Sequence, residues 1–500
     1  MTTSAPTRTA REYRLVTLTA SGGTFLAMLD STVTNLAVPK LHHDFATASL
    51  PQLSWVITGY AVMFAALLAP AGRMADVLGR RRLFVFGIGT FTVASLLCAV
   101  APSVAVLIGT RVLQGVGAAA MIPASLAILL LDGPADGRVK SIGLWSAASA
   151  LAAAVGPTVG GILVDLLGWR SVFYINLPFG IILTVSALRL LAPTARPAGA
   201  RLPDPLGTVL LALGVGALTL GVTEGSTWGW LDASTVGVLA AGVVAVALAV
   251  IRSLRHPVPA VETSLFRNGG FAATNVVSVL YGMAQYPWLL VGVLYITDLW
   301  HYSEMEAGLA MTPGAIVASI TALNMGKLAP RIGGPRGVTL VGLVAILLCG
   351  LLMIFGLTDH AAFLALWLPA GFIVGIGMGA TTMGTSSAAA FSAPPTKFAV
   401  GSGVNTMSRQ FGGALGIAAL AVILQTSGNG SRPLDSYRDV YVFCTVVVVL
   451  ALLVSFVWLR LTPAAPPAAA PASAPAAQGA ATAGTAPAAA RQGEAAEGAR

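Results

Sequence analysis

Fourteen apolar runs follow one another along this chain, each close to the roughly 20 residues that one helix needs to cross the hydrocarbon core of a bilayer. To within a few residues they are 15–38, 52–71, 83–101, 104–131, 139–164, 169–191, 205–222, 234–254, 271–297, 307–329, 337–357, 361–383, 399–425 and 440–461. Lipid offers backbone groups no water to bond, so they must be satisfied within each segment, and for runs of this length that means α-helix. Only 9% of the 500 residues are charged and the mean hydropathy is +0.83, a balance that excludes an ordinary soluble domain. The reading is an all-α integral membrane protein of fourteen spans. Arg8, Arg11 and Arg14 in the arm 1–14 resemble the basic start of a signal peptide. The run behind them is longer than a signal core and leads straight into further spans, so it reads as an uncleaved first helix.

Lys and Arg set the orientation. With the N-terminus inside, 22 of the 28 fall in inner segments, 4 fall in outer ones (Lys40, Arg170, Arg432, Arg438), and Arg111 and Arg409 lie inside spans. That bias places both termini in the cytoplasm and favours an even number of helices. It also explains the net charge of +9 by attraction to anionic inner-leaflet lipid, with no nucleic-acid partner. The tail 462–500 is rich in Ala, Pro and Gly and reads as disordered.

Chemistry-bearing residues are sparse. Cys98, Cys349 and Cys444 sit in apolar runs without pair or metal spacing. The five histidines, His42, His43, His256, His301 and His360, are scattered over loops on both sides. No metal site is expected. A lipid- or prenyl-transfer enzyme, the alternative from another class, needs acids, histidines or ligands clustered at one face. No Gly-x-x-x-x-Gly-Lys-Ser/Thr loop occurs, which argues against ATP as the energy source.

The loop after the second run reads Gly72-Arg73-Met74-Ala75-Asp76-Val77-Leu78-Gly79-Arg80-Arg81-Arg82. Topology alone requires its bases, but not the acid or the two glycines. This loop resembles the signature loop of the major facilitator superfamily, which the resemblance implies to be a conformational switch through Gly72, Asp76, Gly79, Arg80 and Arg81. A fainter copy, Gly326 to Arg336, carries Pro330 in place of the acid and suggests an internal repeat. The expected domains are a cytoplasmic arm 1–14, a six-helix bundle 15–191, a linker 192–260 with two additional helices, a second six-helix bundle 261–461, and the tail 462–500.

Arg111-Val112-Leu113-Gln114-Gly115 in the fourth run resembles an Arg-containing helix motif of that superfamily, and Gly156, Pro157, Gly160 and Gly161 in the fifth resemble its antiporter helix motif. The glycines also suit simple close packing. Together with Leu29-Asp30-Ser31-Thr32 in the first run and Asn405-Thr406-Met407-Ser408-Arg409-Gln410 in the thirteenth, the chain resembles the fourteen-helix drug/proton antiporter family over 15–461. The resemblance implies export of hydrophobic or amphiphilic drugs in exchange for protons, by a monomer in a bacterial cytoplasmic membrane. The proton gradient would be the energy source, with no cofactor. An importer of the same fold is the alternative, and the Gly-Pro helix leans against it.

Asp30 is an acid in an apolar run, where a carboxylate costs on the order of 2.5–3.5 kcal/mol. At about 1.5 Å per residue it lies roughly 12 Å from the outer end of its helix, and Arg111 roughly 10 Å from the outer end of the fourth. The two are expected to face each other and to couple the proton. A neighbouring cation favours the charged carboxylate and desolvation favours the neutral acid, so opening and closing a cavity would alternate proton binding and release. A static ion pair that only orients helices is the competing reading. By resemblance, Asp76 should meet the thirteenth helix near Val400 to Gly403. Thr34, Asn35, Trp55, Tyr60, Gln114, Tyr281, Asn405, Arg409 and Gln410 are candidates for the substrate cavity, while Trp169 and Tyr174 read as anchors at the outer interface.

Overall fold

Polar residues placed just before the apolar runs start the helices. Ser103, Asp204, Asp232, Asn268 and Ser303 each accept a hydrogen bond from a backbone N–H in the first turn that follows, and Ser303 with Glu306 closes a capping box. These bonds satisfy donors that a helix start leaves unpaired. The computed structural model describes residues 10–459 apart from 38–39, 42–43, 46–49, 133–137, 193–203, 261 and 428–432. His42, His43, the first nine residues and the Ala/Pro-rich tail lie outside the described residues.

The first half contains α1 (Ala10–Val33), α2 (Leu50–Leu78), α3 (Arg80–Ala99), α4 (Val104–Leu131), α5 (Arg138–Leu167) and α6 (Ser171–Leu190). Next come α7 (Pro205–Trp228) and α8 (Ala233–Arg255). The second half contains α9 (Gly269–Asp298), α10 (Glu304–Leu328), α11 (Gly334–Gly356), α12 (Phe363–Phe391), α13 (Phe398–Ser427) and α14 (Pro433–Trp458). No strand occurs among the described residues.

By length and apolarity, twelve of the described helices can cross a membrane, and α5 makes thirteen when its two arms, bent by 43° between Ala153 and Thr158, count as one span. The bend falls where Pro157 removes a backbone donor. The expected count of fourteen is not reached on this measure. α1 falls short because Asp30 and a series of Thr, Ser and Gly dilute its apolar character.

Helices α1 to α6 pack among themselves, as do α9 to α14, and the halves join through α2 against α13 and α5 against α10. α7 lies against α2 and α13, and α8 lies on α7. One apolar core runs from α1–α4 into Ala389, Phe398, Ala399 and Val400 of the second half. At the opposite ends of the helices the halves keep separate cores, around Trp169 and Phe173 in one and Tyr295 and Trp367 in the other. The molecule is therefore joined at the end expected to be cytoplasmic. Phe355 is 83% exposed and Leu364 75%, faces that fit hydrocarbon rather than water.

Candidate functional site

Asp30 of α1 and Arg111 of α4 meet. Arg111 Nη1 donates to Asp30 Oδ2 at 2.6 Å, and both residues are 1% exposed. Asp30 Oδ1 accepts from Gln114 Nε2 at 2.8 Å and from Asn176 Nδ2, on α6, at 2.7 Å. Ser95 Oγ of α3 accepts from the same two amides at 2.8 and 3.3 Å. Arg111 also donates to Gln114 Oε1 at 2.6 Å and to the Val56 carbonyl at 2.9 Å, and its guanidinium lies 4.3 Å from the Tyr60 ring centroid. Every partner of the carboxylate is a donor, the pattern that an ionised acid accepts. Drawing both charges out of water costs several kcal/mol each, and only close geometry with added hydrogen bonds offsets it.

The second half holds polar residues of another kind. Asn405 Nδ2 donates to Ser278 Oγ at 2.6 Å and Ser408 Oγ to Asn275 Oδ1 at 3.1 Å, both between α13 and α9. Tyr286 donates to Gln410 Oε1, and Tyr281 OH lies 2.9 Å from Thr382 Oγ1 and 3.2 Å from the Met378 carbonyl. The helices approach this closely because a Cβ on Gly282 would collide with the Arg409 carbonyl, and one on Gly412 with that of Val279.

A third cluster joins the halves at the Asp76 end. Asp76 Oδ2 accepts from the amide of Val400, in the first turn of α13, at 3.2 Å. Gly72 permits this approach, since a Cβ there would stand 2.5 Å from the Ala399 carbonyl oxygen. Gly79, at φ +99°, breaks α2 from α3 with a backbone that side chains resist. Glu262 bridges Arg73 at 3.3 Å and Lys397 at 2.9 Å. Burial pushes the Glu262 carboxyl up, but the Ser264 hydroxyl, Lys397 and Arg73 outweigh it and hold its pKa below the usual value. In the repeat, Gly326 approaches the Val139 carbonyl oxygen of α5 as Gly72 approaches Ala399, and Gly333 takes a positive φ of 89° as Gly79 does. Pro330 leaves that copy without a carboxylate.

The family model described as Major Facilitator Superfamily matches residues 20–417 and, in a second overlapping match, 270–492. The chain belongs to the major facilitator superfamily. It is a multi-pass membrane transporter and not an enzyme. It is 32% identical over 413 residues to the multidrug resistance protein Stp of Mycobacterium tuberculosis, covering 82% of this chain and 76% of that one. It is 32% identical over 452 residues to the cephamycin export protein CmcT of Amycolatopsis lactamdurans, covering 89% and 92%. Among solved structures it resembles the human organic anion transporter MFSD10 (TETRAN) with a TM-score of 0.65 at 16% identity, over 90% of this chain and 100% of that one, a likeness of fold alone.

Within this superfamily member the other residues singled out from sequence fall as follows. Thr34 is 1% exposed and donates to the Asp30 carbonyl at 2.8 Å, while Gln114 is sealed in the ionic network. Trp55 and Gln410 are half-buried, Tyr60, Tyr281 and Asn405 are buried, and the side chain of Asn35 lies outside the described residues. Arg80 pairs with Asp132 at 2.6 Å and Arg81 donates to the Leu188 carbonyl at 2.6 Å, both inside the first half. A Cβ on Gly156 would collide with Thr32, Gly160 is buried, and Gly161 has open space around it. Trp169 is a correction. It is 2% exposed and donates to Asp44 at 2.8 Å, so it is a packed residue and not an interface anchor; Tyr174, at 43%, is exposed. Asn176, Ser95 and Glu262 were not anticipated. Asn176 is legible as an amide inside an apolar run, whereas Ser95 is one of many small residues with nothing to mark it.

Proposed function

We propose that this transporter is a proton-coupled antiporter that exports hydrophobic or amphiphilic compounds, antibiotics among them, from the cytoplasm or inner leaflet by alternating access. The observation that carries the reading is the Asp30 carboxylate, enclosed by Arg111, Gln114 and Asn176 in a site sealed from water. The names of relatives that confer drug resistance or export an antibiotic support the direction. In this scheme α1 and α5 complete fourteen spans, both termini lie in the cytoplasm of a bacterium, the transporter works as a monomer, and no cofactor takes part.

Proton uptake on Asp30 turns an acceptor oxygen into a donor and leaves Arg111 a buried cation without its counter-charge. Such a state is costly, and a rearrangement of the halves that gives Arg111 other partners relieves it. The link from Asp76 and Glu262 to the start of α13 holds the cytoplasmic ends together while the opposite side is open. Each proton moving down a 100 mV potential releases about 2.3 kcal/mol, enough to drive an uphill step.

Inverted vesicles acidified inside by respiration provide the test. A compound to which the chain confers resistance should accumulate in them, and an uncoupler should abolish the accumulation. Accumulation that survives the uncoupler, or movement in the opposite direction, refutes the reading.

A further inference from the structure

Arg409 stands on α13, roughly 16 Å along the helix from its start at Phe398. That depth is near the middle of a hydrocarbon core about 30 Å thick, where transporters of repeated halves hold their cargo. The residue is 7% exposed. Among the described residues no carboxylate pairs with it and no acceptor takes a hydrogen bond from its guanidinium. Its nitrogens are also absent from the fully enclosed polar atoms that lack a partner, so its small exposure includes the charged end. Its helix packs on α2 and α4 of the first half, and its neighbour Gln410 accepts from Tyr286 of α9. The cation therefore borders the interface between the halves.

Arginine cannot shed its proton to escape burial, and a lone buried charge is among the most costly groups a fold can hold. Arg111 solves the problem with Asp30; Arg409 has no such partner. Because Arg111 and Asp30 cancel each other, the charge left over at this depth is positive.

We propose that Arg409 is the counter-charge for cargo, and that the compounds exported carry an anionic group, a carboxylate, a sulfonate or an ionised phenol or enol, on an otherwise apolar frame. The guanidinium fork takes two oxygens of such a group, beside Tyr286. A lipid headgroup is not the occupant, because headgroups remain at the membrane surface and Arg409 lies far below it. Export of an anion against entry of a proton carries positive charge inward in both movements, so the membrane potential drives the exchange as well as the pH difference. This inference rests on the export reading and narrows its substrate.

The test uses two dyes of one xanthene skeleton, fluorescein, which is anionic, and a rhodamine methyl ester, which is cationic. Binding is read by fluorescence polarisation on the purified full chain in phosphatidylcholine nanodiscs. Fluorescein should bind about tenfold tighter or better; Arg409→Gln should lose about 10- to 100-fold of that affinity and bind the rhodamine at least as tightly as wild type, while Arg409→Lys keeps most of the fluorescein affinity. Preference for rhodamine, an equal loss for both dyes in Arg409→Gln, or binding of neither dye overturns the proposal. Energised inverted vesicles separate this result from the export reading. If fluorescein binds as described yet wild type moves neither dye uphill, export fails and the charge preference stands.

Discussion

The two halves share a fold and differ in how they hold charge. In the first, Asp30 and Arg111 neutralise each other inside a hydrogen-bonded cluster drawn from five helices, which leaves the Asn176 amide oxygen without a partner. In the second, amides and hydroxyls bond between α13 and α9, and the buried cation on α13 has no partner among the described residues. The loops repeat the contrast, since Gly72 and Gly326 make equivalent approaches but only Asp76 reaches across to a helix start. In the proposed scheme the repeated scaffold separates an acid that exchanges protons from a polar, basic site that takes cargo.

The largest effect that tests this contrast is on stability. Arg111→Ala strands a buried carboxylate and should cost about 3–5 kcal/mol, whereas Arg409→Leu removes an unpaired charge and should be neutral or stabilising. Thermal unfolding of the purified protein reads both, and equal losses would erase the distinction. Gly72→Val pushes a side chain into the Ala399 carbonyl and should cost about 1–3 kcal/mol of the joined state. Gly326→Val, with a looser 3.1 Å approach to Val139, should cost less. Labelling of cysteines placed on the cytoplasmic side reports the ranking.

Asp76→Asn comes next. A carboxylate at a helix start contributes about 0.3–1 kcal/mol, up to about 2 when partly buried, so the variant should shift the population toward the inward-open state. Spin-label distances across the Asp76 end measure the shift, and an unchanged distribution counts against the latch. The smallest effect belongs to Glu262→Gln, about 1 kcal/mol or less for a partly solvated bridge. Because the folded carboxyl lies below its ordinary value of 4.5, its contribution is fully present above that pH and is lost as pH falls through the folded value. The Glu262 bridge itself should therefore be flat across neutral pH. A latch that weakens between neutral pH and 5 in wild type but not in Glu262→Gln contradicts this.

Much of the architecture was legible because lipid imposes few solutions. Run lengths gave the helices, and equal depth along α1 and α4 anticipated the meeting of Asp30 with Arg111. The two loops, spaced alike, anticipated the repeat, and the family resemblance anticipated the approach of Asp76 to Val400. What sequence did not reveal depends on rotation about helix axes, which depth does not fix. Ser95 and Asn176 join the cluster because α3 and α6 turn those faces inward. Trp169 is packed because Asp44, in a loop distant in sequence, offers an acceptor for its indole. α1 looked like an ordinary span, but the polar residues that fit it among its neighbours also dilute its apolarity.

Proteoliposomes containing Asp30→Asn test the central claim most directly, with one cargo followed in two modes, exchange down its own gradient and movement uphill driven by a pH difference. Exchange should persist, because the halves still rock, and uphill movement should vanish. Uphill movement at the wild-type rate would show that the proton is carried elsewhere.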